Sequence, residues 1–191
     1  EYYAKFEGES AAGTKKEIAS IKIKSNPTKL DYVFTDKFQP TGLTITVTYS
    51  DGSSEDIALN ENNATYSDLD TVGENQIVYI TYGGKTISLS GIKVAQKVIT
   101  ANNDNIVLEY KETEYDGIEK KPSVTIKDGN NVIPVGEYSV EYSNNVNKGT
   151  ATVTITDKAG GNYSVSGSTT FRISGKLLTG AKVEILGTYT Y

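Results

Sequence analysis

Three pairs of carboxylates, a run of asparagines and a set of tyrosines are the side chains here whose types and spacing suit chemistry. Glycoside hydrolysis needs only two carboxyl groups at the right separation. Glu55-Asp56, Asp68 with Asp70, and Glu112 with Glu114 are the local candidates. All lie in turns or on the polar faces of alternating segments, where solvated charge is expected. Glu55 and Asp56 are also adjacent, and neighbours on a strand point to opposite faces. Neither His nor Cys occurs in the 191 residues. The usual carriers of nucleophilic, metal and general-base chemistry at neutral pH are therefore missing. The expectation is no enzyme, no catalytic residue, no cofactor and no tightly held transition metal.

Asn102-Asn103-Asp104-Asn105 offers the oxygen ligands that calcium takes. One carboxylate is thin for a divalent ion, however, and no Asp-x-Asp-x-Asp spacing accompanies it. Asn-rich tracts are usually turns, so no metal site is assigned. Exposed tyrosine rings stack on sugars. Tyr138 and Tyr142 are four apart on one strand, hence on one face, and with Tyr163 they are the candidate glycan contacts. Packing on a sheet face is the competing reading. Asn63-Ala-Thr65 and Asn162-Tyr-Ser164 match the glycosylation sequon by spacing alone.

Those side chains need a scaffold, and composition limits which kind. At about 100–200 residues per domain, the chain allows one large domain or two small ones. Hydrophobic residues make up 37%, enough for one or two modest cores. Fourteen Tyr against four Phe and no Trp suit half-buried strand positions. The net charge is −5, and Arg172 is the one arginine beside 18 lysines, which argues against nucleic-acid binding. Zero Cys excludes a disulfide framework and a Cys-based zinc site. No apolar run approaches a membrane span, so no membrane insertion is expected within these residues. With Glu at position 1, we read the chain as an excised fragment, any export signal or anchor lying outside it.

Period-two alternation dominates from Ile18 onward. Leu43-Thr-Ile45-Thr-Val47-Thr-Tyr49 puts four apolar side chains on one face and threonines on the other. Ser50-Asp51-Gly52-Ser53 turns it back on itself, and Gly83-Gly84 does the same between Gln76–Tyr82 and Lys85–Leu89. Thr100-Ala-Asn-Asn-Asp-Asn105 breaks the pattern and reads as a boundary. Strands resume at Ile106-Val-Leu and continue through Pro122–Ile126, Tyr138–Tyr142, Thr150–Ile155 and Thr170–Ile173. No stretch has convincing helical periodicity. About seven short strands per unit, with turn signals every 8–12 residues, is a sandwich pattern. The expected organisation is an upstream tail at 1–16, a first domain at 17–97, a second at 98–175, and an edge strand or further repeat at 176–191. Leu43, Ile45, Val47, Ile77 and Tyr79 are assigned to the first core; Val124, Ile126, Val153, Ile155 and Phe171 to the second.

Ile21-Lys-Ile-Lys-Ser-Asn-Pro27, Phe38-Gln-Pro-Thr-Gly42 leading into Leu43–Gly52, and Gly84–Val94 resemble bacterial immunoglobulin-like domains of group 3. The second unit looks like another immunoglobulin-like repeat of Gram-positive surface proteins. It carries Tyr115-Asp-Gly, Lys121-Pro-Ser-Val, Gly136-x-Tyr138-x-Val-x-Tyr142, Gly149–Ile155 and Gly161-Asn-Tyr163 before Phe171-x-Ile173. The resemblance implies an all-β fold of two tandem immunoglobulin-like β-sandwiches. It further implies a non-enzymatic spacer or adhesion module, extracellular, secreted or cell-wall attached. Expected partners are neighbouring domains of the same polypeptide; the alternative is a binder of polysaccharide or host surface protein through a sandwich face or end loops. Some surface sandwiches of this kind carry a Lys–Asn isopeptide bond, but Lys22 and Lys24 alternate with isoleucines and are expected to face solvent.

Overall fold

Fifteen strands and no helix form the regular structure of residues 16–175, the part of the chain that the computed structural model describes. The expectations for 1–15 and for Leu177–Tyr191 lie outside these residues. Two compact units divide between Ala95 and Gln96.

The first unit contains β1 (Ile18–Ser25), β2 (Asp31–Val33), β3 (Thr44–Tyr49), β4 (Ser54–Ala58), β5 (Thr65–Tyr66), β6 (Gly73–Tyr82) and β7 (Lys85–Ala95). One sheet has the order β1-β3-β4 and the other β2-β7-β6-β5. Their inner faces share a core in which Ile45, Val47, Val78, Ile80 and Ile92 are fully buried. β3 forms as its alternation requires, with Ile45 and Val47 inward and Thr44, Thr46 and Thr48 half-exposed. Its hairpin to β4 turns at Asp51-Gly52, where Gly52 has φ +81 and Asp51 Oδ1 accepts the Ser53 N–H at 2.9 Å.

β6 corrects the sequence reading. Ile77 and Tyr79 are 46% and 56% exposed, while Val78 and Ile80 are fully buried. Both parities of this segment carry large apolar residues, so alternation does not choose the inner face. The choice is made by register against β7, which shifts between Gln76 and Val78 and then pairs Val78 with Leu89 and Ile80 with Ile87.

The second unit contains β8 (Lys97–Ala101), β9 (Ile106–Leu108), β10 (Glu112–Glu114), β11 (Val124–Asp128), β12 (Asn131–Val132), β13 (Tyr138–Ser143), β14 (Gly149–Asp157) and β15 (Tyr163–Ser174). β12-β11-β9 form one sheet. The other runs β10-β15-β14-β13, with β8 also on β15. Ile106, Leu108 and Ile126 are buried from the first sheet, and Ala151, Val153, Ile155, Val165, Phe171 and Ile173 from the second. Val124 is only half-buried.

Thr100 and Ala101, read from sequence as part of a boundary segment, are the end of a core strand. β8 lies parallel to β15, Lys97–Ala101 opposite Tyr163–Gly167, with Ile99 and Ala101 buried. Its partner is more than sixty residues away, so no local pattern announces it. Gln96, just before β8, donates its side-chain amide to the carbonyls of Gly161 (2.9 Å) and Tyr163 (3.3 Å).

Candidate functional site

In the first unit the segments around residues 37–41 and 59–68 bring polar side chains beside three packed rings, Tyr32, Phe38 and Tyr66. Tyr32, on β2, is buried with its hydroxyl donating to the Lys29 carbonyl (3.1 Å) and accepting the Gln39 N–H (3.1 Å). This pins the loop after β2 from below. Phe38 in that loop is 6% exposed, its ring 6.0 Å from Tyr32 and 5.1 Å from Tyr66. Tyr66 on β5 is half-buried and donates its hydroxyl to the Asn60 carbonyl at 3.1 Å. Burial, and secondarily the Glu61 carboxylate, push this phenol above its ordinary pKa.

The facing loop, Asn60 to Asn63, is held by its own amides. Asn63 Oδ1 accepts the Asn60 N–H (2.8 Å), Asn60 Oδ1 accepts the Asn62 N–H (2.8 Å), and Asn63 Nδ2 donates to the Ala58 carbonyl (3.0 Å). Two clefts border this loop. One of about 400 Å³ lies between Gln39-Pro40-Thr41 and Leu59–Asn62. The other, about 260 Å³, is floored by Phe38 and Tyr66 and rimmed by Lys37, Glu61, Ser67 and Asp68. Glu61 borders both. This arrangement suits hydrogen bonding to a polar ligand rather than proton transfer. Sequence reasoning missed it because the loops are 20 residues apart and neither carries a motif.

The three tyrosines singled out from sequence do not form an exposed row. Tyr138 and Tyr163 are 5% and 7% exposed and belong to the second core. Tyr138 donates to the Val124 carbonyl at 3.4 Å, and burial raises its pKa. Tyr142, half-buried on β13, donates to the Pro122 carbonyl at 2.5 Å, its pKa raised by burial and then by Tyr110. It lines a cleft of about 410 Å³ with Glu119, Lys121, Val140 and Glu141. The period of two placed Tyr138 and Tyr142 correctly on one face, but that face is the inner one.

The carboxylate candidates serve local structure. Glu55 accepts from the Tyr49 hydroxyl, which pushes that phenol up to about 12. Asp56 accepts from Lys24 and from Thr46 Oγ1 (2.7 Å), and Lys24 and Thr46 hold its carboxyl below the usual range. Glu112 faces Arg172 at 3.8 Å. Thr71 Oγ1 donates to Asp70 at 3.2 Å, while Asp68 rims the smaller cleft of the first unit.

Asn102–Asn105 repeats the Asn60–Asn63 turn. Asn105 Oδ1 accepts the Asn102 N–H (2.8 Å), Asn102 Oδ1 accepts the Asp104 N–H (2.8 Å), and Asn105 Nδ2 donates to the Thr100 carbonyl (3.0 Å). The side chains of Asn102 and Asn105 are spent on the backbone, as in Asx turns generally. Among the described residues no group of three or more His, Cys, Asp or Glu is placed to hold a metal ion.

Asn145, which sequence reasoning passed over, is 6% exposed. It donates to the Lys120 carbonyl (2.8 Å) and Glu119 Oε1 (3.3 Å), tying two loops of the second unit together.

No curated protein matches the chain. Residues 25–96 match the family model of the bacterial Ig-like domain, group 3. Domains of that family are generally non-catalytic structural modules, typically found in extracellular or surface proteins. The matched span runs from the end of β1 through β7, taking in both sheets of the first unit. The first unit is a bacterial immunoglobulin-like domain of group 3.

Proposed function

We propose that the chain is a load-bearing spacer of a secreted or wall-attached bacterial protein, carrying neighbouring domains of the same polypeptide in roles such as adhesion. The carrying observation is the parallel pairing of early strands with the last strand in each unit. β2 is parallel to β7, with Asp31–Val33 opposite Lys93–Ala95. β8 and β10 are both parallel to β15. When the ends of the second unit are drawn apart, its first strand β8 and its last strand β15 are pulled in opposite directions along their own axes. The ladder bonds are then strained together in shear, instead of opening one after another.

Two further features support the reading. Both edges of one sheet of the first unit are charged, with Lys22 and Lys24 exposed on β1 and Glu55 and Asp56 on β4, which discourages pairing with other chains. The family of the first unit points to an extracellular setting, where a Cys-free chain folds without redox chemistry. Glycan contact through Tyr138, Tyr142 and Tyr163 drops out of the proposal, because two of the three are in the core.

Stretching the chain by its ends in a force-spectroscopy instrument tests this. Lys97→Pro removes the N–H that Lys97 donates to the Asn162 carbonyl at 3.1 Å, at the start of the β8–β15 ladder. Forced unfolding is governed by the unfolding barrier, so one of the two rupture events should move to lower force while the other stays. Unchanged rupture forces in Lys97→Pro would refute a load-bearing role for the parallel pair.

A further inference from the structure

We infer that the end of the second unit around Gly175 is a docking surface for the chain's own next segment, residues 176–191, and that Leu177 and Leu178 are the side chains it takes. This does not rest on load bearing, and either reading can fail while the other stands.

Several stretches of the second unit meet at this end. Tyr115, directly after β10, donates its N–H to the carbonyl of Ser174, the last residue of β15, at 2.9 Å. Lys148 Nζ lies 5.4 Å from the centroid of the Tyr115 ring. A Cβ built on Gly175 would sit 3.6 Å from that same Nζ, and one built on Gly117 would sit 3.9 Å from the Tyr115 hydroxyl. Asn145 then ties the loop before β14 to the loop after Gly117. Its side chain donates to the Lys120 carbonyl, and the Lys120 N–H donates back to the Asn145 carbonyl, both at 2.8 Å. The point where the chain leaves β15 is therefore in one neighbourhood with the loops that carry Ile118 and Val146.

This neighbourhood leaves apolar surface uncovered. Ile118 is 65% exposed, Val146 39% and Tyr115 37%. The charges beside Ile118 are spent on one another, with Lys120 2.6 Å from Asp116 and Lys121 2.9 Å from Glu119. No unpaired charge of this loop bars an apolar occupant. The backbone is also set in advance, because Asp116 Oδ1 accepts the Ile118 N–H at 2.9 Å and the buried Asn145 fixes the facing loop.

The sequence supplies an occupant at the right place. Residues 176–191 lie outside the described residues, but they start at Gly175 and open with Lys176-Leu177-Leu178-Thr179. An extended chain advances about 3.3–3.6 Å per residue, which keeps both leucines within about 7–11 Å of Gly175. Burying them against Ile118 and Val146 removes apolar surface from water on both sides. A second copy would lose translational and rotational freedom to make the same contact. A tethered segment is already present at an effective concentration in the millimolar range. That difference favours the chain's own segment.

The test is NMR on the whole chain with isotope-labelled Leu, Ile and Val methyl groups. Cross-peaks should join the methyls of Leu177 or Leu178 to those of Ile118 or Val146, and should persist when labelled chain is diluted into unlabelled chain. In calorimetry, Ile118→Ser and the double variant Leu177→Ser with Leu178→Ser should each lower the second unit's midpoint by about 4–8 °C, the effect of exposing a partly buried apolar side chain. All three substitutions together should lower it no further than either variant alone, since both remove one contact. Four results would overturn the assignment: no such cross-peaks, cross-peaks only between different molecules, cross-peaks from the leucines to the exposed Val98 or Val135 instead, or midpoint shifts that add.

Discussion

Gly167→Ala should unfold the second unit at a much lower temperature while leaving the first untouched. Gly167 lies on β15, opposite Ala101 at the end of β8 and Ile155 on β14. Its φ is +151, and a Cβ there would sit 1.8 Å from the Ala101 carbonyl oxygen and 2.7 Å from the carbonyl carbon. Backbone rather than a flexible side-chain tip is in the way, so β8 must move. A non-glycine residue at such a φ costs about 1–3 kcal/mol. Displacing the end of the β8 ladder forfeits one or two bonds of about 0.5–1.5 kcal/mol net each. The sum is about 1.5–6 kcal/mol. For a unit of this size 1 kcal/mol moves the midpoint by about 4–8 °C, so a fall on the order of 10–50 °C is expected.

Calorimetry of the whole chain, with its two transitions assigned by unit, reads this directly. Gly160→Ala is the control: its φ is +86, but an added Cβ meets nothing within 4 Å. That variant should lose only the conformational term, about 1–2 kcal/mol. If Gly167→Ala lowers the second transition no further than Gly160→Ala, close approach of β8 and β15 at Ala101 is not what requires glycine.

The remaining predictions concern faces, turns and pH. Ile80→Ala should cost about 2–5 kcal/mol in the first unit, whereas Tyr79→Ser should stay within about 0.5 kcal/mol, as chemical denaturation will show; the reverse order would mean the face of β6 is wrong. Asn63→Ala and Asn105→Ala should each cost about 0.5–2 kcal/mol, the worth of a backbone-capping side chain, in their own unit alone, with a midpoint unchanged from the parent chain in either variant counting against the shared turn. Asp51, Asp56, Asp116 and Glu119 have carboxyls held low, chiefly by Ser53, Lys24, Lys120 and Lys121 respectively. Their contribution is present above the ordinary carboxylate range and is lost as pH falls through the lowered values. Tyr49, pushed up from 10.0 to about 12 by Glu55, contributes below pH 10 and loses that contribution as pH rises toward 12. The four carboxylates are exposed and Tyr49 is only half-buried, so both limbs should be shallow, and Tyr49→Phe should reduce the alkaline one in melts taken against pH.

Much of this protein follows from local pattern. Leu43 to Tyr49 could only be a one-sided strand, because every second residue is apolar and every intervening one is threonine. Asp51-Gly52 and Gly83-Gly84 had to be turns, since they supply the positive φ that tight hairpins need. The absence of His and Cys sets the kind of chemistry to expect.

What the sequence left open has a common physical cause: the deciding partner lies far along the chain. β6 has apolar residues on both parities, and only its register against β7 selected Val78 and Ile80 over Ile77 and Tyr79. The five residues of β8 became a core strand because Tyr163–Gly167 runs beside them in parallel. Tyrosine is amphipathic, so its type never says whether the ring is buried with its hydroxyl bonded to a carbonyl, like Tyr138, or exposed on a sheet, like Tyr79. The clefts that Glu61 borders lie between segments about 20 residues apart, which only the folded first unit brings together. Local alternation thus fixed the class of fold and the type of turn. Long-range strand pairing decided which faces went inside and which loops meet, because burial is shared between partners that no short stretch of sequence contains.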